Sequence, residues 1–366
     1  MPILRGSASL TRFNVALPPT LDFGQAEFRE IVPGSEVRES IGFLPFEPTA
    51  DYQVASARWA FRIRIDRLQP DATAVRERLA GLLRDEEEQT GTQRISARRR
   101  KELKHLAEEE LLRDARPSSK IVEGVISDGV LQLGTTANSV IGKCLLLLRK
   151  IGVAADFKTP WDDLGDGEAE SDVLEALGPG QSIWGARFLA DLISDREVML
   201  EPVDGYAKLQ GRERRITMAG KIVGDVVAYV EDGAELVTAK LTTAERSFRL
   251  DGLAFRLSGL SLDPARGMHW SEALDQRLEQ IDAVWELLDR KYAEHRRGRS
   301  RKGRVLNSAD GGEPRREARR ERDTDGEDEA ESAADAPDNV VSVRGGGALG
   351  LPAQASAAIH PRPASA

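Results

Sequence analysis

Between Arg94 and Lys104 the sequence places six basic side chains in eleven residues: Arg94, Arg98, Arg99, Arg100, Lys101 and Lys104. Guanidinium and ammonium groups at that density suit phosphate oxygens, whose contacts supply affinity without sequence information. Arg116, Lys120, Lys143, Arg149, Lys150 and Lys221 are weaker candidates for the same chemistry. The plainer alternative is a solvated face, because Glu86–Glu88 and Glu108–Glu110 are close enough to neutralise much of the cluster.

Other chemistry finds less support. Asp162, Asp163, Asp166, Glu168, Glu170 and Asp172 crowd a glycine-containing stretch with no strand to fix them, so a solvated acidic loop is expected rather than a metal site. Asp225, Glu231 and Asp232 lack the spacing of a metal-dependent nuclease. His105, His269, His295 and His360 show no metal-ligand spacing. Cys144, the single cysteine, precedes four leucines and reads as a small buried hydrophobe; it excludes a disulfide framework. No glycine-rich nucleotide loop is present in a strand-to-helix context. Neither an enzyme nor a cofactor is expected.

These basic groups sit in an acidic chain of 366 residues with a formal charge of −9. The charge is uneven: residues 1–295 carry about −10, 296–322 carry +7, 323–338 carry −8, and Arg344 and Arg362 restore the total. A histone-like coat of positive charge is excluded, but a local basic lining is not. The start of the chain lacks the apolar core of a secretory signal, and the longest apolar runs fall far short of the roughly 20 residues of a membrane helix. A cytoplasmic protein that does not enter membranes is expected.

The elements that must position the candidates follow from periodicity. Residues 1–160 read as an α+β region. Trp59, Phe61, Ile63 and Ile65 alternate along a strand whose other side carries Arg58, Arg62 and Arg64. A polar helical hairpin follows over about 72–116, with starts at Asp71 and Ser96; helices this charged read as a projecting arm. Ile121–Ile126 and Val130–Leu133 flank Asp128-Gly129, a hairpin turn signal, and a helix spans Ala137 to Lys150. In the second region, 161–297, Ile216–Val230, Ala234–Leu241 and Ser247–Leu257 read as strands of an antiparallel meander. Leu274, Leu278, Ile281, Trp285, Leu288 and Tyr292 then mark one stripe of a long amphipathic helix. Residues 298–366, basic and then acidic, offer too few large apolar residues to offset ordering entropy and are expected to be disordered.

Taken in order, these motifs resemble the recombination-associated protein RdgC family of bacterial DNA-binding proteins. The resemblance is carried by Gly42-Phe43-Leu44-Pro45, Arg100-Lys101-Glu102-Leu103-Lys104 with Glu109–Leu112, the hairpin at Val122–Leu133, Leu147-Leu148-Arg149-Lys150, Ala219-Gly220-Lys221-Ile222-Val223 and the long C-terminal helix. It covers about residues 1–292. It implies antiparallel sheets in a subunit that dimerises into a ring, with double-stranded DNA, or alternatively single strands, held on a basic inner surface without sequence preference. It also implies nucleoid association and restraint of RecA-type strand exchange. After Leu111-Leu112 the family carries a Pro-basic-Ala-Phe pattern at the arm's tip, where subunits meet; here the residues are Arg113-Asp114-Ala115-Arg116-Pro117, without the aromatic. Asp225 stands where the family has a basic residue. Two other function classes remain open beside this one: a protein–protein adaptor acting through the charged tail, and a metal-dependent exonuclease.

Overall fold

The computed structural model describes residues 3–32, 37–48, 50–91, 94–113, 115–167, 171–174, 177–265, 267–309 and 340–344. Its first half contains β1 (Ala8–Ala16), β2 (Glu39–Leu44), β3 (Gln53–Ala55), β4 (Arg58–Leu68), α1 (Ala72–Thr90), α2 (Ala97–Leu112), β5 (Pro117–Ser127), β6 (Val130–Leu133), α3 (Asn138–Lys150) and β7 (Ala154–Phe157). The second half contains α4 (Pro160–Asp163), α5 (Ile183–Leu192), β8 (Met199–Leu200), β9 (Gly205–Gln210), β10 (Arg215–Gly220), α6 (Val223–Glu231), β11 (Glu235–Thr242), β12 (Ser247–Asp251), β13 (Arg256–Leu260) and α7 (Trp270–Ala309). A last strand, β14 (Val340–Arg344), pairs parallel with β10.

These strands form one sheet in the order β14-β10-β9-β11-β12-β13-β1-β6-β5-β4-β2. The two halves meet on β1. Its start pairs with β13, with a register shift between Ala8 and Leu10, and its later residues pair with β6 and β7. The Asp128-Gly129 turn carries positive φ at both residues, 51° and 75°, as a two-residue hairpin between right-twisted strands requires.

Alternation along β4 sorts its side chains onto two faces. Phe61 and Ile63 pack with Phe13, Phe43, Val122, Cys144 and Leu148 in a core closed by α3. Gly124 lies opposite Phe61. A Cβ at Gly124 would lie 2.5 Å from the Phe61 ring, so only glycine fits there. On the other face, Ala60 and Val125 join a larger core with Leu10, Phe248, Leu257 and the α7 stripe. Leu274, Leu278, Ile281, Trp285, Leu288 and Tyr292 are all buried.

α7 braces the joint between the halves. Arg12, 5% exposed, makes a bidentate pair with Asp289 at 2.8 Å, and its guanidinium lies 4.0 Å from the Trp285 ring centroid. Gln132 donates to Asp282 at 2.7 Å, and Arg58 pairs with Asp275. Arg277, nearly fully buried, donates to the carbonyls of Ile3 and Gly6. Trp270 stacks on Phe46, centroids 5.2 Å apart.

Several sequence expectations are corrected. Ile216–Val230 is not one strand: β10 ends at Gly220, and Val223, Val226 and Val230 fall at helical spacing on α6. Ser247–Leu257 divides into β12 and β13, with Phe255 at φ 49° in the turn between them. α7 continues to Ala309, past Gly298 where disorder is expected, and Val340–Arg344 is a strand. The expected disorder of 310–339 and 345–366 lies outside the described residues. Residues 113 and 115–117 lie at the root of the helical arm, where the chain enters β5, and the turn joining α1 to α2 forms its far end. The subunit-contact pattern that the resemblance places at a tip therefore falls at the root. Among the described residues no helix is long and apolar enough to cross a membrane.

Removing Arg12 leaves Asp289 without its partner and Trp285 without its guanidinium neighbour. Arg12→Ala is expected to destabilise the fold by about 3 kcal/mol, the low end for a broken buried pair. Gly124→Ala is expected to cost about 1–3 kcal/mol through overpacking. Both are read by denaturant unfolding. Burial, with a contribution from Glu286, raises the Asp282 carboxyl against the opposing bond from Gln132. A raised carboxyl stabilises the fold below the ordinary carboxylate range and loses that contribution as pH rises through its folded value. Asp282→Asn is therefore expected to melt no lower than wild type at pH 7, with wild type gaining relative to it on acidification.

Candidate nucleic-acid interface

The arm forms because each helix is capped locally and the pair share a narrow apolar seam. Asp71 accepts from the Thr73 amide to start α1, which ends at Gly91 with φ 63°. Ser96 accepts from the Arg99 amide to start α2. Val75, Leu103 and Ala107 are the buried residues of the two helices. Ion pairs lock the seam: Arg78 to Glu110 at 2.6 Å, and Arg99 to Glu86 at 2.8 Å. Hydrogen bonds from Arg99 and Arg78 hold the Glu86 and Glu110 carboxyls below the ordinary glutamate range.

With Leu103 and Ala107 turned to α1, the 100° step of a helix carries Arg98 and Lys101 to the solvent side and Lys104 to its flank, while Arg100 lies one turn before Leu103 at the edge of the seam. All four are exposed. Arg98 has Glu102 at 3.2 Å and Lys104 has Glu108 at 3.6 Å, single pairs along one exposed helix that salt readily screens. Arg100 and Lys101 have no ion pair among the described residues. Arg94 is exposed in the connecting turn, ahead of the helix rather than on its face.

Arg99 differs from its neighbours. It faces α1, bidentate on Glu86 with a further contact to Glu102 at 3.2 Å, and these bonds raise its already high pKa. Its guanidinium braces the arm. The weaker candidates scatter. Arg116 is exposed at the arm root, and Lys120 is exposed on β5 directly opposite Ile65. Lys143 on α3 pairs with Glu39. Arg149 and Lys150 occupy the last turn of α3, the favourable end of its dipole for cations. Lys221 follows β10, eight strand positions from β4 and on the order of 40 Å along the sheet. It is not brought to the arm. Arg62 donates to the Pro45 carbonyl and Arg64 to Asp66, so neither forms a free basic row.

Sequence reasoning misses Arg38, Arg67 and Arg76. They line a groove with Lys104 where the arm leaves the sheet. They come from three separate segments, and no local spacing reports their meeting.

Among the described residues no group of three or more His, Cys, Asp or Glu is placed for a metal ion. Asp162 bonds the Thr159 hydroxyl, Asp163 pairs with Lys158, and Asp166 takes Tyr292 and Arg296. The acidic stretch thus anchors α4 and α7; Glu168 and Glu170 lie outside the described residues. Asp225, Glu231 and Asp232 are exposed on and just after α6. His105 lies beside Glu109, and His269 bonds the Ser271 hydroxyl. No family model and no curated protein matches the chain.

Cys144 is fully buried, and burial pushes its thiol up to about 12. The thiolate is the reactive form. Cys144 is therefore expected to resist a disulfide reagent at pH 8 in the native protein and to react fully once the chain is denatured.

Proposed function

We propose that this protein binds double-stranded DNA without sequence preference through the solvent face of α2, and that it acts in homologous recombination as a homodimer. The observation that carries the reading is the division of labour on the arm. Arg78 and Arg99 neutralise the seam acids Glu110 and Glu86, while Arg98, Arg100, Lys101 and Lys104 are exposed on α2 with, among the described residues, single same-helix ion pairs or none. Such a surface positions a protein on a phosphate backbone and carries no base readout.

An acidic chain binds DNA on this scheme because part of its acid charge is paired off, Glu86 and Glu110 in the seam and Asp163, Asp166 and Asp289 at α4 and α7, while α2 leaves exposed bases. The resemblance to the RdgC family supplies the rest of the proposal. A pair of subunits would present two such arms to one duplex and restrain RecA-type strand exchange by occupying it. The arm-root position of residues 113 and 115–117, without an aromatic side chain, leaves α1, α2 and their connecting turn to make any contact between arms.

Binding to a random-sequence duplex is expected to fall steeply with salt. The slope of log K against log[salt] is about −0.9 per phosphate neutralised, so a contribution of roughly −3.6 is expected from Arg98, Arg100, Lys101 and Lys104 on each engaged arm. Reversing Arg98, Arg100 and Lys101 to Glu is expected to abolish binding with an unchanged melting curve. Deleting residues 310–366 is expected to leave binding intact, whereas loss of binding on that deletion would favour the tail. Affinity that is flat between low and moderate salt would refute the mechanism.

A further inference from the structure

We propose that the groove at the root of the arm is a phosphodiester-binding site, so that the DNA backbone crosses the arm where it leaves the sheet as well as along α2. This rests on the DNA-binding reading above and names a contact that the α2 cluster does not include. The groove has a volume of about 570 Å³. That is far more room than one inorganic phosphate needs and within the range of sites that hold a substantial ligand.

Four cations from four chain segments converge on it: Arg38 just before β2, Arg67 near the end of β4, Arg76 in the second turn of α1, and Lys104 from α2. Glu108 is the acid in the lining, and it is engaged at 3.6 Å with Lys104. Glu39 lies directly across the strand pair from Arg67, but its carboxylate is taken by Lys143 on α3. Arg38 and Arg67 have no ion pair among the described residues, and Arg76 donates only to the Ala72 carbonyl of its own helix, at 3.2 Å. Among the described residues the groove therefore holds three guanidinium groups with no carboxylate on any of them. Guanidinium is the side chain best matched to the planar, bidentate capture of phosphate oxygens.

Strand register extends the charge beyond the groove. Lys120 lies opposite Ile65, and Arg67 follows Ile65 by two residues, so Arg67 and Lys120 are diagonal neighbours on the same sheet face. On α2, Lys101 sits one turn before Lys104. Lys101 beside Lys104 on α2 and Lys120 beside Arg67 on the sheet thus extend the groove's cations onto both elements. This joins a candidate on β5 to the arm cluster through residues that the sequence leaves unconnected.

The test is binding of the full chain to a labelled random-sequence duplex, comparing wild type with Arg67→Glu/Arg76→Glu and with Arg67→Lys/Arg76→Lys. Both residues are exposed. The Glu pair is expected to lose at least tenfold in affinity and to shallow the salt slope by about 1.8, the value for two phosphates, while the Lys pair keeps most of the affinity. Wild-type binding with affinity and slope unchanged in the Glu pair would overturn this site alone. Absence of wild-type binding would overturn the DNA reading and this site together. Should the Glu pair fail to fold, a photoreactive azide on Gln69→Cys, in the groove lining, provides the second readout. Crosslinking to the duplex from that position is expected, and no crosslink there would remove the proposal.

Discussion

The architecture depends on the burial of Arg12 against α7. A guanidinium in the middle of β1 is costly to desolvate unless it is paired, and among the described residues the Arg12 Nε is buried without a hydrogen-bond partner. Asp289 takes two of its donors, and the Trp285 ring lies against its face. β1 is the strand on which both halves of the sheet are built, so a helix clamped to it fixes β13 on one side and β6 on the other. Gln132–Asp282 and the Arg277 bonds to Ile3 and Gly6 repeat the clamp two turns and more than three turns before Asp289. The joint is polar inside and apolar around, which sets the register of α7 more sharply than leucines alone.

From that joint the arm inherits its position. β4 and β5 pair along eleven residues each, from Arg58 opposite Ser127 to Leu68 opposite Pro117, and α1 and α2 leave from their shared end. The arm's own cohesion is modest: a few buried aliphatic residues and two cross-seam ion pairs. Its basic face and the root groove are therefore continuous with the most extensively paired strands of the sheet. Asp66, near the end of β4, shows how the root is kept in order. Burial raises its carboxyl, yet bonds from Arg64 and Ser119 outweigh that and hold it below the ordinary range.

What was legible in the sequence was local. Asp71 and Ser96 as caps, Asp128-Gly129 as a two-residue turn, and the stripe from Leu274 to Tyr292 each depend on neighbours within one or two turns of chain. α6 was not legible because Val223–Val230 is a short apolar run beside a strand, a pattern that periodicity alone does not resolve. The site divides the same way. Helical spacing places Arg98, Lys101 and Lys104 on the outside of α2, but not the capture of Arg99 by Glu86, thirteen residues away on another helix. Nor does it show Arg38, Arg67 and Arg76 in one groove, which needs the ends of β2 and β4 and the root of the arm set side by side.

On the proposed function, a net-negative chain meets DNA through one side of its arm and the arm's root. Hydrogen exchange of the full chain, with and without a short random-sequence duplex at low salt, tests it most directly. The account predicts slowed exchange in residues 94–104 and 67–76, with β9, β10 and β11 unchanged. Protection confined to the second half of the sheet or to residues beyond Ala309, or no protection anywhere, would contradict it.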